Sequence, residues 1–263
     1  MRSKAKPKFG GKRREHTDAS THYIAGRRGA VETIASGRAR ALYVQTPVRG
    51  DVKALVETAR KAGIAVHETD AKTLQQMVPD VRQQGIVVEL PPYEYATLES
   101  VLATVQNMED ALVILLDGVE DPHNLGAIIR SADGAGAAAV IIPERRSAAV
   151  TEVVHKTSAG AVEWLPIARV TNVVQTLTAL KQAGFWVGGA DMAGDMTYTE
   201  ADWRGKIVIV LGNEGKGISR LVRENCDFMV QIPMWGKVSS LNVSVAGALM
   251  MFEAARQQRS QHD

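Results

Sequence analysis

Five short apolar runs, at residues 112–116, 138–142, 185–189, 207–211 and 228–232, set the strongest limit on what this chain can fold into. Helical patterns at 172–183 and 244–256 lie among and after them. A strand exposed on one face alternates apolar with polar residues, whereas near-continuous apolar runs belong to strands buried on both faces. The expected architecture is therefore an α/β domain built on a mostly parallel sheet with helices over both faces. Ligands of such sheets bind beyond the carboxyl ends of the strands.

A smaller α/β pattern precedes it. A helix is predicted over 26–35, strands over 41–45, 64–68 and 86–90, and a further helix over 51–62. Leu90-Pro91-Pro92-Tyr93 breaks the alternation, and a helical stretch at 94–108 leads into the first run of the larger domain. The expected division is a flexible basic arm (1–19), a small α/β domain (20–90), a linker (91–109) and the larger domain (110–263).

Composition removes several classes. A chain of 263 residues, 45% hydrophobic, can bury a sizeable core. No run approaches the roughly 18 apolar residues that cross a bilayer, and the N-terminus lacks a signal peptide's apolar stretch. A cytoplasmic location without a membrane partner is expected. The single cysteine, Cys226, allows no intrachain disulfide, and the six histidines show no metal-ligand spacing, so no metal is expected. Cys226 itself reads as a buried structural thiol. Formal net charge is only +2, yet Arg2, Lys4, Lys6, Lys8, Lys12, Arg13 and Arg14 place seven positive charges and no negative one at the start, leaving the remainder net negative. Such an arm suits phosphate binding with counterion release; a solubilising tail is the alternative.

Three segments carry the residues that suggest chemistry, each at or just after the end of an apolar run. They are Asp117-Gly118-Val119-Glu120-Asp121-Pro122-His123-Asn124-Leu125-Gly126-Ala127-Ile128-Ile129-Arg130, Gly212-Asn213-Glu214-Gly215-Lys216-Gly217-Ile218-Ser219, and Pro233-Met234-Trp235-Gly236-Lys237-Val238-Ser239-Ser240-Leu241-Asn242-Val243-Ser244. Glycine-bearing loops where backbone or ligand approaches closely commonly carry function. In the first, Pro122 fixes a turn and Asn124 is placed to cap a helix with Arg130 on its second turn; a plain cap and a surface ion-pairing arginine is the other reading. In the second, three glycines permit a tight loop with exposed backbone groups, and Glu214 is its only acid; a generic turn with a solvated glutamate is the other reading. In the third, Ser239, Ser240 and Asn242 either line a site or cap the long helix that follows. Trp235 reads equally as a dimer contact, a base-stacking surface or packing. Two further glycine segments are decoys. Gly134-Ala135-Gly136 closes a helix where a dinucleotide fingerprint would open one, and Gly215-Lys216 lacks phosphate-loop spacing.

In this order and at these separations, the three segments resemble the motifs of the SpoU-type RNA ribose 2′-O-methyltransferases of the SPOUT superfamily, over about residues 112–256. Residues 20–90 are similar, more loosely, to the small ribosomal-protein-like RNA-binding domain of the bacterial 23S rRNA guanosine 2′-O-methyltransferases of that family. Tyr23-Ile24-Ala25-Gly26 and Gln83-Gln84-Gly85-Ile86 carry that likeness, with Gln83 where a histidine is expected.

The resemblance implies a C-terminal trefoil knot with S-adenosylmethionine in the pocket of the second and third segments. Gly212, Asn213, Gly215, Ile232, Ser240 and Leu241 are then cofactor-binding, and Arg130, Asn124, Glu214, Ser240 and Asn242 form the catalytic group. A guanidinium pKa above about 12 makes a neutral arginine costly, so Arg130 is expected as phosphate clamp and oxyanion stabiliser. Glu214 is expected to orient Arg130 or the ribose. Arg13, Arg14, Arg27 and Arg28 are expected to bind RNA, and the family's habit implies a homodimer through the C-terminal domain; Met250, Met251 and Phe252 on the final helix either offer apolar surface for it or belong to the core. The implied activity is 2′-O-methylation of a guanosine in 23S rRNA. A tRNA ribose methyltransferase of the same family and a non-catalytic RNA-binding factor are the alternatives.

Overall fold

The computed structural model describes residues 22–79, 82–192 and 194–260, which fall into two compact units divided between Pro92 and Tyr93. The basic arm, with Arg13 and Arg14, lies outside the described residues.

The first unit runs β1 (His22–Ala25), α1 (Arg27–Ala35), β2 (Ala41–Gln45), α2 (Val52–Lys61), β3 (Ala65–Thr69), α3 (Ala71–Met77) and β4 (Ile86–Leu90). Its sheet has the order β1-β4-β2-β3. β4 pairs antiparallel with β1 and β2, and β2 pairs parallel with β3. Every residue of β4 is buried because both faces are covered. Ile86 and Val88 pack with Ala30 and Ile34 of α1 and with Val52 and Val56 of α2, while Val87 points the other way, to Leu74 of α3. Glu89 is buried with two partners: Tyr43 Oη donates to its Oε2 at 2.7 Å, and Arg40 Nη1 lies 3.4 Å from its Oε1. The hydrogen bond to this carboxylate, helped by burial, pushes the Tyr43 pKa up to about 12. β1 and α3 go beyond the sequence reading. The first is four residues beside the basic arm, and the second buries only Leu74, so neither is long enough to show a period.

The second unit runs α4 (Leu98–Val105), β5 (Ala111–Asp117), α5 (Pro122–Ala135), β6 (Ala139–Pro143), α6 (Glu152–Thr157), β7 (Ile167–Val170), α7 (Val173–Gln182), β8 (Trp186–Ala190), β9 (Met196–Thr197), β10 (Lys206–Gly212), α8 (Arg220–Arg223), β11 (Phe228–Gln231) and α9 (Val243–Arg259). The seven strands lie in the order β7-β6-β5-β10-β8-β11-β9, and every pairing is parallel. Ile114, Leu116, Ile209 and Leu211 face Ile128 and Ile129 of α5 and Met250 and Met251 of α9. Val113, Leu115, Val208 and Val210 face Val101 and Val105 of α4 and Leu177 and Leu180 of α7. This is the doubly covered parallel sheet that the apolar runs require. The edge strands β7 and β9, of four and two residues, are too short to register as runs.

Segment 91–109, expected as a linker, is largely structured within the second unit. Ala96 bridges in parallel to Ala168, Tyr93 Oη donates to the Val162 carbonyl at 3.3 Å, and a Thr97/Ser100 capping box delays the helix to Leu98. α5 ends at Gly136 in the left-handed conformation, φ 80°, as the small-residue segment there suggests. Among the described residues no helix is long and apolar enough to cross a membrane.

Candidate active site

β5 and β10 are parallel and paired from Ala111↔Lys206 to Asp117↔Gly212, so the loops that follow them leave from the same edge of the sheet. On leaving β5, the chain turns into α5 through Asp121, whose Oδ1 accepts from His123 N at 2.9 Å, with Pro122 in the first turn. Asp121 is therefore the cap, correcting the assignment to Asn124. Asn124 lies inside the first turn, only 7% exposed, and its side chain is turned to the site. Arg130 consequently falls on the third turn rather than the second. It is exposed and forms no hydrogen bond or ion pair with other described residues, so Glu214 does not orient it here.

Beyond β10 the loop folds back on itself. Asn213 N donates to the Gly217 carbonyl at 3.0 Å, and Gly217 N returns to the Asn213 carbonyl at 2.8 Å. The Asn213 side chain binds the loop together, with Nδ2 donating to the Gly118 carbonyl at 2.8 Å and Oδ1 accepting from Gly215 N at 2.9 Å. Asp117 Oδ2 accepts from Ser219 N at 2.7 Å where the loop leaves. Glycine is required at 212 by close approach, since a Cβ there would lie 2.2 Å from the carbonyl carbon of Gly217.

The third segment completes the arrangement. Asn242 caps α9 through Oδ1, which accepts from Ser244 N at 2.9 Å and Ser244 Oγ at 2.6 Å. Its Nδ2 donates to Asn124 Oδ1 at 2.9 Å and to Glu214 Oε1 at 2.6 Å. Asn124 Nδ2 donates to the same Glu214 Oε1 at 2.9 Å. Asn242 therefore caps the helix with one end of its amide and joins Asn124 and Glu214 with the other. The closed triangle Asn124–Glu214–Asn242 unites the three segments and leaves Glu214 Oε2 without a partner among the described residues.

Beside the triangle lies a cleft of about 540 Å³. Gly212, Asn213, Gly215, Ile232, Ser240 and Leu241, the six residues expected to hold a cofactor, all line it, as does Glu214. Arg130 does not. Leu211, Val230, Val243 and Met250 supply an apolar floor. The sequence reading missed Asp191, which follows β8 and also lines the cleft; its Oδ2 accepts from Arg223 Nη1 at 2.6 Å. The rule that ligands meet the carboxyl ends of parallel strands would have singled it out.

Burial pushes the Cys226 thiol up to about 11, as suits a structural thiol. In the first unit Arg27 pairs with Asp51 at 3.0 Å and Arg28 with Glu32 at 3.2 Å. Arg27 also shares a depression with Gln45, Arg82, Gln83, Gln84 and Gly85. Gly26 N donates to the Ile86 carbonyl at 3.1 Å, so the two segments that carry the small-domain likeness converge.

The family model described as SpoU rRNA Methylase matches residues 111–252, spanning all three segments. The chain belongs to the SpoU rRNA methylase family. A second model, described as RNA 2′-O ribose methyltransferase substrate binding, matches residues 23–96. Among relatives, a Bacillus subtilis protein provisionally named a TrmH-family tRNA/rRNA methyltransferase, YacO, is 41% identical, covering 89% of this chain and 95% of its own. An AdoMet-bound rRNA methyltransferase from Sinorhizobium meliloti superposes with a TM-score of 0.71 at 26% identity, over 90% of this chain and 87% of its own. The SpoU methyltransferase AviRb from Streptomyces viridochromogenes, in complex with AdoMet, gives a TM-score of 0.70 at 27% identity, over 95% of each chain.

Proposed function

We propose that this RNA ribose 2′-O-methyltransferase acts on a guanosine of 23S rRNA in the cytoplasm, with S-adenosylmethionine as cofactor. The observation that carries the reading is the Asn124–Glu214–Asn242 triangle beside a glycine-walled cleft. The residues present fit the cofactor. Apolar Leu211, Ile232, Leu241 and Met250 suit a nucleoside body, backbone groups of the 212–217 loop suit its polar edges, and the carboxylate of Glu214 suits its positive charge. When bound, S-adenosylmethionine supplies an electrophilic sulfonium methyl group.

The chain's own residues then align the acceptor. Asn124 and Asn242 hold Glu214 by Oε1, so that Oε2 can accept the hydrogen bond of the ribose hydroxyl and set its direction of attack. Ser240, on the cleft wall, adds a hydroxyl for the ribose. Arg130, exposed and uncommitted, clamps the neighbouring phosphate and stabilises negative charge developing on the 2′-oxygen. An RNA-positioning role for the small unit is supported by its matched model, which covers substrate binding, and Arg13, Arg14, Arg27 and Arg28 are assigned to RNA contacts.

Two structural proposals accompany this reading. The trefoil knot is supported by the strand order, in which β10 lies between β5 and β8. A homodimer is supported by Val245, Leu249 and Phe252, exposed at helical spacing on α9. Of the readings left open for Met250 and Met251, dimer surface or core, the second holds, since they are 1% and 0% exposed.

Transfer of labelled methyl from S-adenosylmethionine to 23S rRNA and to tRNA, followed by digestion to nucleosides, tests the assignment. 2′-O-Methylguanosine from 23S rRNA alone is expected. Label in tRNA alone would replace the rRNA assignment, and absence of label in either, despite cofactor binding, would overturn activity on free RNA.

A further inference from the structure

We propose that Trp235 is a stacking platform for an unpaired RNA base at the mouth of the cleft, a proposal that rests on the methyltransferase reading above. At 93% exposure Trp235 is the most exposed large hydrophobic side chain among the described residues, whereas Trp203, in the same unit, is wholly buried. Its position in the chain gives that exposure meaning. Met234 immediately before it, and Ser239, Ser240 and Leu241 shortly after, all line the cleft, and consecutive Cα atoms are only about 3.8 Å apart. The indole is therefore tethered one residue from the wall of the proposed reaction site.

The space and charge around it suit a nucleotide. A Cβ built on Gly236 would meet nothing within 4 Å, so open space adjoins the loop beside the ring. Lys237 is exposed next along, and Lys216 stands exposed on the cleft's other loop. A flat aromatic face with lysines nearby is the combination by which proteins hold single-stranded RNA, the ring taking a base and the cations its phosphates.

The reaction itself calls for such a surface. A 2′-hydroxyl brought into a cleft walled by Gly212, Ser240 and Leu241 belongs to a nucleotide that has left its neighbours, and its base, or the next one, needs a replacement stack. Indole offers a π-face to every base, so Trp235 contributes affinity and positioning, while choice of guanosine lies with other groups. The apolar face of α9 at Val245, Leu249 and Phe252 offers a distinct surface for a second copy, so dimerisation does not require the indole.

The test uses the full-length protein, a 23S rRNA fragment whose target lies in an unpaired loop, and the variants Trp235→Ala and Trp235→Phe. Trp235→Ala is expected to raise the KM and Kd for RNA roughly 5- to 150-fold. The Kd for S-adenosylhomocysteine and the sedimentation coefficient are expected to stay unchanged, and Trp235→Phe to restore most of the RNA affinity. RNA should quench the wild-type fluorescence by an increment that Trp235→Phe lacks. Unchanged RNA affinity in Trp235→Ala, or conversion of that variant from dimer to monomer, would overturn stacking. Quenching and binding without any methyl transfer by the wild type would overturn the proposed activity on free RNA and leave the stacking intact, so the two failures are distinguishable.

Discussion

Replacing Gly212 by alanine probes the packing on which the cleft depends. The added Cβ would lie 2.2 Å from the Gly217 carbonyl carbon, 2.3 Å from Ile218 N and 2.5 Å from the Gly217 oxygen. All three are backbone atoms, so no side chain can rotate away. Restoring ordinary contact, which begins at 3.4 Å, moves the 213–218 loop by roughly 1 Å. That movement strains the paired bonds between Asn213 and Gly217 and shifts Glu214 against Asn124 and Asn242. Overpacking of this kind costs about 1–3 kcal/mol, or roughly 2–12 °C in Tm for a unit of this size. If the displaced loop loses one or two hydrogen bonds to the cofactor, at about 0.5–1.5 kcal/mol each, affinity falls roughly 2- to 150-fold. Gly215→Ala is the matched control. Its Cβ would meet only Asn213 Oδ1, at 3.6 Å, and its stability should stay within about 0.5 kcal/mol of wild type. Differential scanning calorimetry and titration with S-adenosylhomocysteine measure both quantities. A Gly212→Ala protein with wild-type Tm and wild-type affinity would refute the close-packing argument.

Arg130→Ala should abolish methyl transfer while S-adenosylhomocysteine binds within about twofold of wild type, since the arginine is outside the cleft and makes no contact that supports it; retained activity would remove Arg130 from the mechanism. Asn242→Asp keeps an oxygen to cap α9 but sets a second carboxylate where Nδ2 now lies 2.6 Å from Glu214 Oε1. It should cost about 1–3 kcal/mol at neutral pH and recover part of that loss as acid protonates the pair; a Tm gap that widens on acidification would contradict the triangle. For Tyr43, the pKa is raised from 10.0 to about 12 by the Glu89 hydrogen bond and burial. Its contribution to stability is therefore complete below the unfolded value and is lost as pH rises from 10 towards 12. The urea-midpoint gap between wild type and Tyr43→Phe should be flat at lower pH and close across that window, and a gap that grows with pH would reverse the sign of the argument.

Several elements were legible in the residues because their signals are local. The runs that became β5, β6 and β10 are buried on both faces, so burial writes itself directly into composition. Gly136 ends α5 because the left-handed turn there favours glycine. Asn124 shows where such reasoning stops. Asn124 and Asp121 are both sound capping residues, and choosing between them depends on Glu214, 90 residues away, and on Asn242, 118 residues away, which claim the asparagine side chain.

The sequence by itself determined the α/β class, the longer strands and their order along the chain, the three loop segments and the family to which they point. The class and the loop segments follow from propensity, burial or spacing within a few residues, and the family from the resemblance of those segments to known motifs. Only the tertiary structure decided that β10 lies between β5 and β8, that Gly212 has no room for a side chain, that Met250 and Met251 belong to the core, and that one carboxylate oxygen of Glu214 is held by two amides while the other has no partner among the described residues. Those outcomes depend on hydrogen bonds and van der Waals contacts between groups remote in the chain, which exist only once the sheet has brought its strand ends to a common edge.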